Sequence, residues 1–133
     1  LKSKNLSDAY FIGGTGVISD NVIKQVNAIV SKNVLGNRIA GVNRRETNAN
    51  VIKKFYPETT LSGAVIAKDL DLVDALAVGP LAAKKGIPVV LAQNSLSSGQ
   101  ETVLKSKISN KLYQAGGGVS SSVLSNLKKL LTN

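Results

Sequence analysis

Two uninterrupted apolar runs restrict this chain more than any motif in it. Ala64-Val65-Ile66-Ala67 and Ile87-Pro88-Val89-Val90-Leu91-Ala92 contain no polar residue. A strand with one wet face alternates in polarity, whereas an unbroken run belongs to a strand covered on both faces, as in a parallel sheet. Pro88 lies near the start of its run, where a missing N–H matters least. Parallel neighbours must be joined by crossovers, and helical patterns separate the candidate strands throughout. Strands are expected at Ala9–Ile12, up to Ala40, at 64–67, at 87–92 and at Leu112-Tyr113. Helices are expected from Asp20 to about Val34, from Asn48 to Tyr56, from Val73 to Lys85, from Ser98 to about Ile108 and from Ser120 to Leu131. A chain of 133 residues makes one domain, residues 1–133. The order predicts a three-layer α/β fold with a mainly parallel sheet, right-handed crossovers, and Val65, Ile66, Val89, Val90 and Leu91 in central strands.

Local signals place the ends of the elements. Ser19 suits an N-cap with Asp20 at the positive end of its helix, and Gly36-Asn37 suits that helix's end. Thr47 reads as the N-cap of the second helix, which Pro57 breaks. Pro80 kinks the third helix or starts its second half. Ser98-Gly99-Gln100-Glu101 matches a capping box. The turns after Ile12, Ala40, Ala67, Ala92 and Ala115 then share the carboxyl edge of the strands, where open α/β sheets carry their ligands.

At that edge, Arg38-Ile39-Ala40-Gly41-Val42-Asn43-Arg44-Arg45-Glu46-Thr47 sets three arginines within eight positions. Guanidinium groups beside the free N–H groups of a helix start suit an anion. Arg38, Arg44, Arg45 and Thr47 are therefore the candidate ligand-binding residues. The same pattern also fits solvated turn residues, or an arginine holding a structural carboxylate; Arg44 and Asp74 are one such pair. Gly13, Gly14 and Gly41 read as structural glycines of tight turns, and Asp74 as a structural acid. Gly13-Gly14-Thr15-Gly16 completes neither the dinucleotide nor the P-loop pattern.

The available chemistry is narrow. There is no Cys or His, which removes the usual thiol and imidazole nucleophiles, bases and metal ligands, and excludes disulfides. No cofactor is expected. Asp69, Asp71 and Asp74 could hold Mg²⁺ in an α/β enzyme, or form a solvated acidic loop. Seventeen Lys and Arg against eight Asp and Glu give a net charge of +9, which favours an anionic partner. Nucleic acid, anionic lipid and anionic wall polymer all carry that charge. The chain shows no recognition helix and few aromatics to stack bases, so nucleic acid is disfavoured. No stretch long enough to insert in a membrane is present, and no leader is evident.

The chain also opens and closes on similar units. Tyr10-x-x-Gly13-Gly14-Thr15-Gly16-Val17-Ile18-Ser19-x-x-Val22 returns as Tyr113-x-x-Gly116-Gly117-Gly118-Val119-Ser120-x-x-Val123, about a hundred residues later. Residues 1–34 and 111–133 are therefore expected to be equivalent units of successive tandem repeats.

The glycine turn through Ser19, the segment Arg38–Asn43 with Arg44-x-Glu46-Thr47, Val73-Asp74-Ala75-Leu76-Ala77, Pro80-Leu81-Ala82-Ala83 and Ile87–Leu91 together resemble the type 2 cell-wall-binding repeat. That repeat is found in threes in clostridial S-layer and related surface proteins, and the resemblance covers most of the chain. Arg45 stands where the family usually has tyrosine, and Val89-Val90-Leu91 where it has Ile-Leu-Leu. The resemblance implies a Rossmann-like or Toprim-like module without catalysis. Such a module anchors a surface protein non-covalently to an anionic polysaccharide of a Gram-positive wall, outside the cell. It also implies a pseudo-threefold association with other copies of the repeat.

Overall fold

A computed structural model describes residues 5–132. Ten elements alternate: β1 (Phe11–Ile12), α1 (Asp20–Asn27), β2 (Arg38–Ile39), α2 (Arg44–Phe55), β3 (Ala64–Ala67), α3 (Val73–Lys85), β4 (Val89–Leu91), α4 (Ser98–Lys105), β5 (Leu112–Ala115) and α5 (Ser121–Leu131). Every named strand pairing is parallel, but the strands form two sheets. β1 pairs with β2, while β3 lies between β4 and β5. The expected single sheet is thus divided, and only β3 is central. All four residues of β3 are buried, whereas in β4 Val90 is buried and Val89 and Leu91 are half-buried. β4 is an edge strand because α2, rather than another strand, lies beside it.

That edge is closed by two side-chain amides. Asn48 of α2 donates from Nδ2 to the Val89 carbonyl at 2.8 Å, and its Oδ1 accepts the Leu91 N–H at 3.1 Å. It meets β4 as the peptide group of a neighbouring strand would. Gln100 of α4 donates from Nε2 to Asn48 Oδ1 and to the Leu91 carbonyl, both at 2.9 Å. Both residues are buried, which only a complete set of partners permits. The main core lies behind them. Ile52, Ile66, Val90 and Leu104 meet Val123, Leu127 and Leu131 of α5 there. A smaller cluster joins Phe11, Ile23 and Val34 under β1 and β2.

Several element ends differ from the sequence expectation. α1 is capped by Ser19 but stops at Asn27, whose side chain accepts the Val34 N–H at 2.7 Å and turns the chain well before Gly36. α2 starts at Arg44 behind an Asn43 cap, so Thr47 lies inside the helix. The capping box of α4 is Ser97 with Gln100, one residue earlier than Ser98 with Glu101. The earlier register turns Gln100 and Leu104 inward together. α5 starts at Ser121 behind a Ser120 cap, one residue after its expected start, and Pro80 is accommodated within α3.

Removing the Asn48 amide leaves the Val89 carbonyl and one Leu91 contact unmet in a dry place. Asn48→Ala should therefore cost about 2–6 kcal/mol of unfolding free energy, from two unmet buried groups at about 1–3 kcal/mol each. Urea titration followed by circular dichroism measures it. A loss within about 0.5 kcal/mol, the range of an ordinary surface change, would show that the β4 edge needs no such closure.

Candidate functional site

The carboxyl ends of β1, β2 and β4 surround an open cleft of about 750 Å³. Its walls are Ile12, Gly13, Gly14 and Val17 on one side, Gly41 to Arg44 with Thr47 on another, and Leu72 and Leu91 opposite. Val17 is 81% exposed and Val42 93% exposed, so the rim is apolar and uncovered.

The backbone brings the walls together through two glycines. Gly13 has φ +138°, a conformation that strains any other residue. At Gly41 an added Cβ would overlap Glu46 Cβ and lie 2.6 Å from the Thr47 nitrogen, so β2 passes into α2 without room for a side chain. Gly14 has open space above it, and the structure gives no steric reason for glycine there.

The consecutive polar side chains from Asn43 to Asn48 each tie down something different. Asn43 Oδ1 accepts the Arg45 and Glu46 N–H groups at 2.9 and 3.0 Å. Arg44 donates from Nη1 to the Asp69 carbonyl oxygen. Arg45 pairs through Nε with the Asp69 carboxylate and reaches Ser95 Oγ from Nη1 at 2.8 Å. Glu46 Oε1 accepts the Gly99 N–H at the start of α4 at 3.1 Å. Thr47 Oγ1 accepts the Gly41 N–H at 2.9 Å, and Asn48 closes β4 as described. Much of the anion-binding machinery suggested by the sequence is thus occupied internally. The first-turn N–H groups of Arg45 and Glu46 are taken by the helix's own cap.

The three arginines differ in what they have left to offer. Arg38 donates to the Gly13 and Ile18 carbonyls, each at 2.7 Å, and to Asp20 Oδ1 at 2.9 Å, clamping the β1–α1 turn. Arg45 is spent on Asp69 and Ser95. Arg44 is exposed, lines the cleft, and uses one nitrogen on Asp69. The pairing of Arg44 with Asp74 raised by the sequence does not form. Asp74 instead lies against Gly116, leaving no space for a side chain at that glycine.

Asp69 was expected in a solvated loop, but it is buried, because β3 carries it inward toward Arg45. Asp71 is exposed and pairs with Lys68 at 3.0 Å. The three aspartates thus have separate partners, and among the described residues no group of His, Cys, Asp or Glu could hold a metal ion. No described helix is long and apolar enough to cross a membrane.

The model of cell wall binding domain 2 (CWB2) matches residues 38–124. The chain belongs to the CWB2 family. Its first matched residue is Arg38, at the start of β2, so β1 and α1 precede the matched region. The N-acetylmuramoyl-L-alanine amidase LytC of Bacillus subtilis (strain 168) is 34% identical over 130 residues, which is 96% of this chain and 25% of that protein. The solved structure of Cwp6 from Clostridium difficile matches 99% of the chain at 38% identity with a TM-score of 0.92. Cwp8 from the same organism matches 90% at 34% identity with a TM-score of 0.77. The chain spans about a quarter of LytC and about a fifth of each solved chain. The matches agree with the α/β architecture, and a CWB2 domain belongs to the cell wall, outside the cell.

The hydrogen bonds assign opposite roles to adjacent arginines. Arg45→Ala leaves a buried carboxylate unpaired and should cost about 2–3 kcal/mol. That is below the 3–5 kcal/mol of a fully buried pair, because the Arg45 side chain keeps 27% of its surface in water. Arg44→Ala should stay within about 1 kcal/mol of wild type, since it removes one bond at an exposed side chain. Thermal melts of the two variants decide the matter, and equal melting temperatures would contradict these roles.

Proposed function

We propose that this CWB2 domain is a non-catalytic anchor that holds a surface protein to the wall by binding an anionic wall polysaccharide without a covalent bond. The observation that carries the reading is where its free positive charge lies. Each crossover helix runs back against parallel strands, so the helix ends gather at the edge where strands begin. The Tyr56 hydroxyl donates to the Ile87 carbonyl, Ser62 Oγ to the Lys85 carbonyl, and the Ser109 N–H to the Leu131 carbonyl. The last turns of α2 to α5 bring Lys53, Lys54, Lys84, Lys85, Lys105, Lys128 and Lys129 to that edge. All are exposed, and none forms an ion pair among the described residues. Lysine at a helix end is favoured by the helix dipole alone. Seven at one edge of a chain of net charge +9 also make a field that draws a polyanion.

The arginine cleft at the opposite edge suits a shorter, specific contact. Arg44 supplies the cation, with the sugar faces against Val17, Val42 and Leu72. Arg38, Arg45 and Thr47 shape this cleft by holding its walls. The amidase activity in the name of LytC belongs to a protein four times the length of this chain and carries no implication for these residues.

Retention on purified wall polysaccharide tests the reading. Binding should weaken steeply with salt, because a polyanion releases counterions when neutralised. Changing Lys84, Lys85, Lys128 and Lys129 to Gln should weaken binding and flatten that dependence. Arg44→Ala should weaken binding with little change in the salt slope. DNA of equal charge density retained as tightly as wall polymer would replace the anchor with a basic nucleic-acid module.

A further inference from the structure

Residues 5–39 satisfy their polar groups among themselves. The Phe11 and Gly13 N–H groups donate to the Asn37 and Ile39 carbonyls. Asn37 Nδ2 donates to Asp8 Oδ1 at 2.8 Å and to the Ala9 carbonyl at 2.9 Å. Arg38 clamps Gly13, Ile18 and Asp20, and Lys32 pairs with Asp8 at 3.6 Å. Among the described residues, no hydrogen bond or ion pair joins this unit to the rest of the chain. It has a two-stranded sheet of its own and a core of its own, whose residues are shared with neither cluster around β3. The aromatic contact that crosses to the body is slight. Tyr10 meets Phe55 of α2 edge-to-face at 5.0 Å, with Lys54 over its ring, and the two rings belong to residues 40% and 43% exposed.

The junction between unit and body is one residue long. The Ile39 carbonyl accepts the Gly13 N–H at 2.9 Å and so belongs to the unit. The next carbonyl, that of Ala40, accepts a bond from Asn50 Nδ2 at 2.9 Å, and the Gly41 N–H donates to Thr47 Oγ1. Ala40 is thus pinned to α2 on one side while its neighbour is pinned to β1 on the other. The torsions of Ala40 are what connects the two bodies. Hinges of domain closure are a few such residues at the end of an element. Ile39 is buried at the pivot, where a rotation displaces it least. The cleft spans this joint. Ile12, Gly13, Gly14 and Val17 belong to the unit, and Val42, Arg44, Leu72 and Leu91 to the body. Val17 and Val42 are highly exposed, one on each body, so a rotation that narrows the cleft takes apolar surface out of water.

We propose that residues 5–39 form a rigid jaw that turns about Ala40 and closes on a saccharide segment in the cleft. Arg44, on the body, takes the acid group, and closure brings Val17 over the apolar face of the sugar. The Arg38 clamp and the Asn37 amide keep the jaw in one piece as it turns. The Tyr10–Phe55 contact holds it in the observed position, and releasing that contact breaks no hydrogen bond. The wall from Gly41 to Asn48 stays in place throughout, because α2 is tied to β4. Closure rests on the reading of the cleft as a contact for wall polysaccharide, but the hinge shows itself in the free protein. Failure of polymer binding and failure of the hinge are therefore separate results.

The chain has no cysteine, so introduced cysteines carry spin labels without background. Gln25 lies on α1 of the jaw, and Ala83 and Ser125 lie on α3 and α5 of the body, all exposed. Double electron–electron resonance measures the three distances in the paired variants Gln25→Cys with Ala83→Cys, Gln25→Cys with Ser125→Cys, and Ala83→Cys with Ser125→Cys. In the free protein both Gln25 distributions should be at least roughly twofold wider than the Ala83–Ser125 distribution, which reports the body alone. Ala40→Gly should widen the Gln25 distributions further and leave the body pair unchanged. Saturating wall polysaccharide should narrow them toward the width of the body pair. The Phe11 and Gly13 amides should stay protected from hydrogen exchange, since the jaw turns without unfolding. Gln25 distributions as narrow as the body pair in the free protein would overturn the hinge. Rapid exchange at Phe11 and Gly13 would replace a rigid jaw with local unfolding. Bound polymer that leaves the Gln25 distributions wide would overturn closure.

Discussion

The Asn48–Gln100 amide pair is the contact on which the arrangement of the larger sheet depends. A three-stranded parallel sheet is short, and an edge strand buried under a helix has backbone groups that neither water nor another strand can satisfy. Asn48 supplies both a donor and an acceptor at the spacing β4 requires. Gln100 holds Asn48 in that orientation while its own Oε1 accepts the Ser97 N–H at 3.0 Å, so one side chain finishes a helix cap and a sheet edge. α2 and α4 are thereby fixed to β4 and to each other. The wall of the cleft between Gly41 and Asn48 inherits its position from that joint.

Positive charge is divided by chemistry between the two edges. The arginines lie at the carboxyl edge and are used largely as internal connectors. A planar guanidinium can serve several carbonyl and carboxylate oxygens at once, as Arg38 does with Gly13, Ile18 and Asp20. The lysines of the helix ends lie exposed at the opposite edge without ion pairs among the described residues, and two of them, Lys54 and Lys85, rest over the rings of Tyr10 and Tyr113. Local charge density in the sequence pointed to the arginine turn, because three arginines fall close together there. Free charge in the folded chain is greatest where lysines distant in sequence converge at helix ends.

Much of the architecture was legible in the sequence because it depends on local or one-dimensional signals. The uniform apolarity of Ala64–Ala67 fixed β3, and Ser19 is a cap by position and chemistry alone. Thr47 shows where such signals fail. Asn43 and Thr47 are both good caps, and the choice between them is made by the close pass of Gly41 over Glu46. Asp69 reads as solvated beside Lys68 and Asp71, and only its contact with Arg45, 24 positions away, explains its burial. Asn48 and Gln100, 52 positions apart, carried no motif. One trace was available, since each sits at the spacing of a buried stripe, Asn48 before Ile52 and Gln100 before Leu104. A polar residue in an inward row asks for a partner.

A sheet sealed along one margin and open along the other has a direction. Side chains have already filled β4, so this body cannot be extended from that side, and two copies cannot meet there face to face about a twofold axis. Any growth by strand addition runs head to tail, with unlike surfaces meeting at every joint. Joints of that kind contain no stopping rule of their own. The succession ends only when its rotation closes a ring or when a terminal copy is built differently. The number of modules in such an assembly is then set by the angle at a single joint, rather than by the strength of any contact within it.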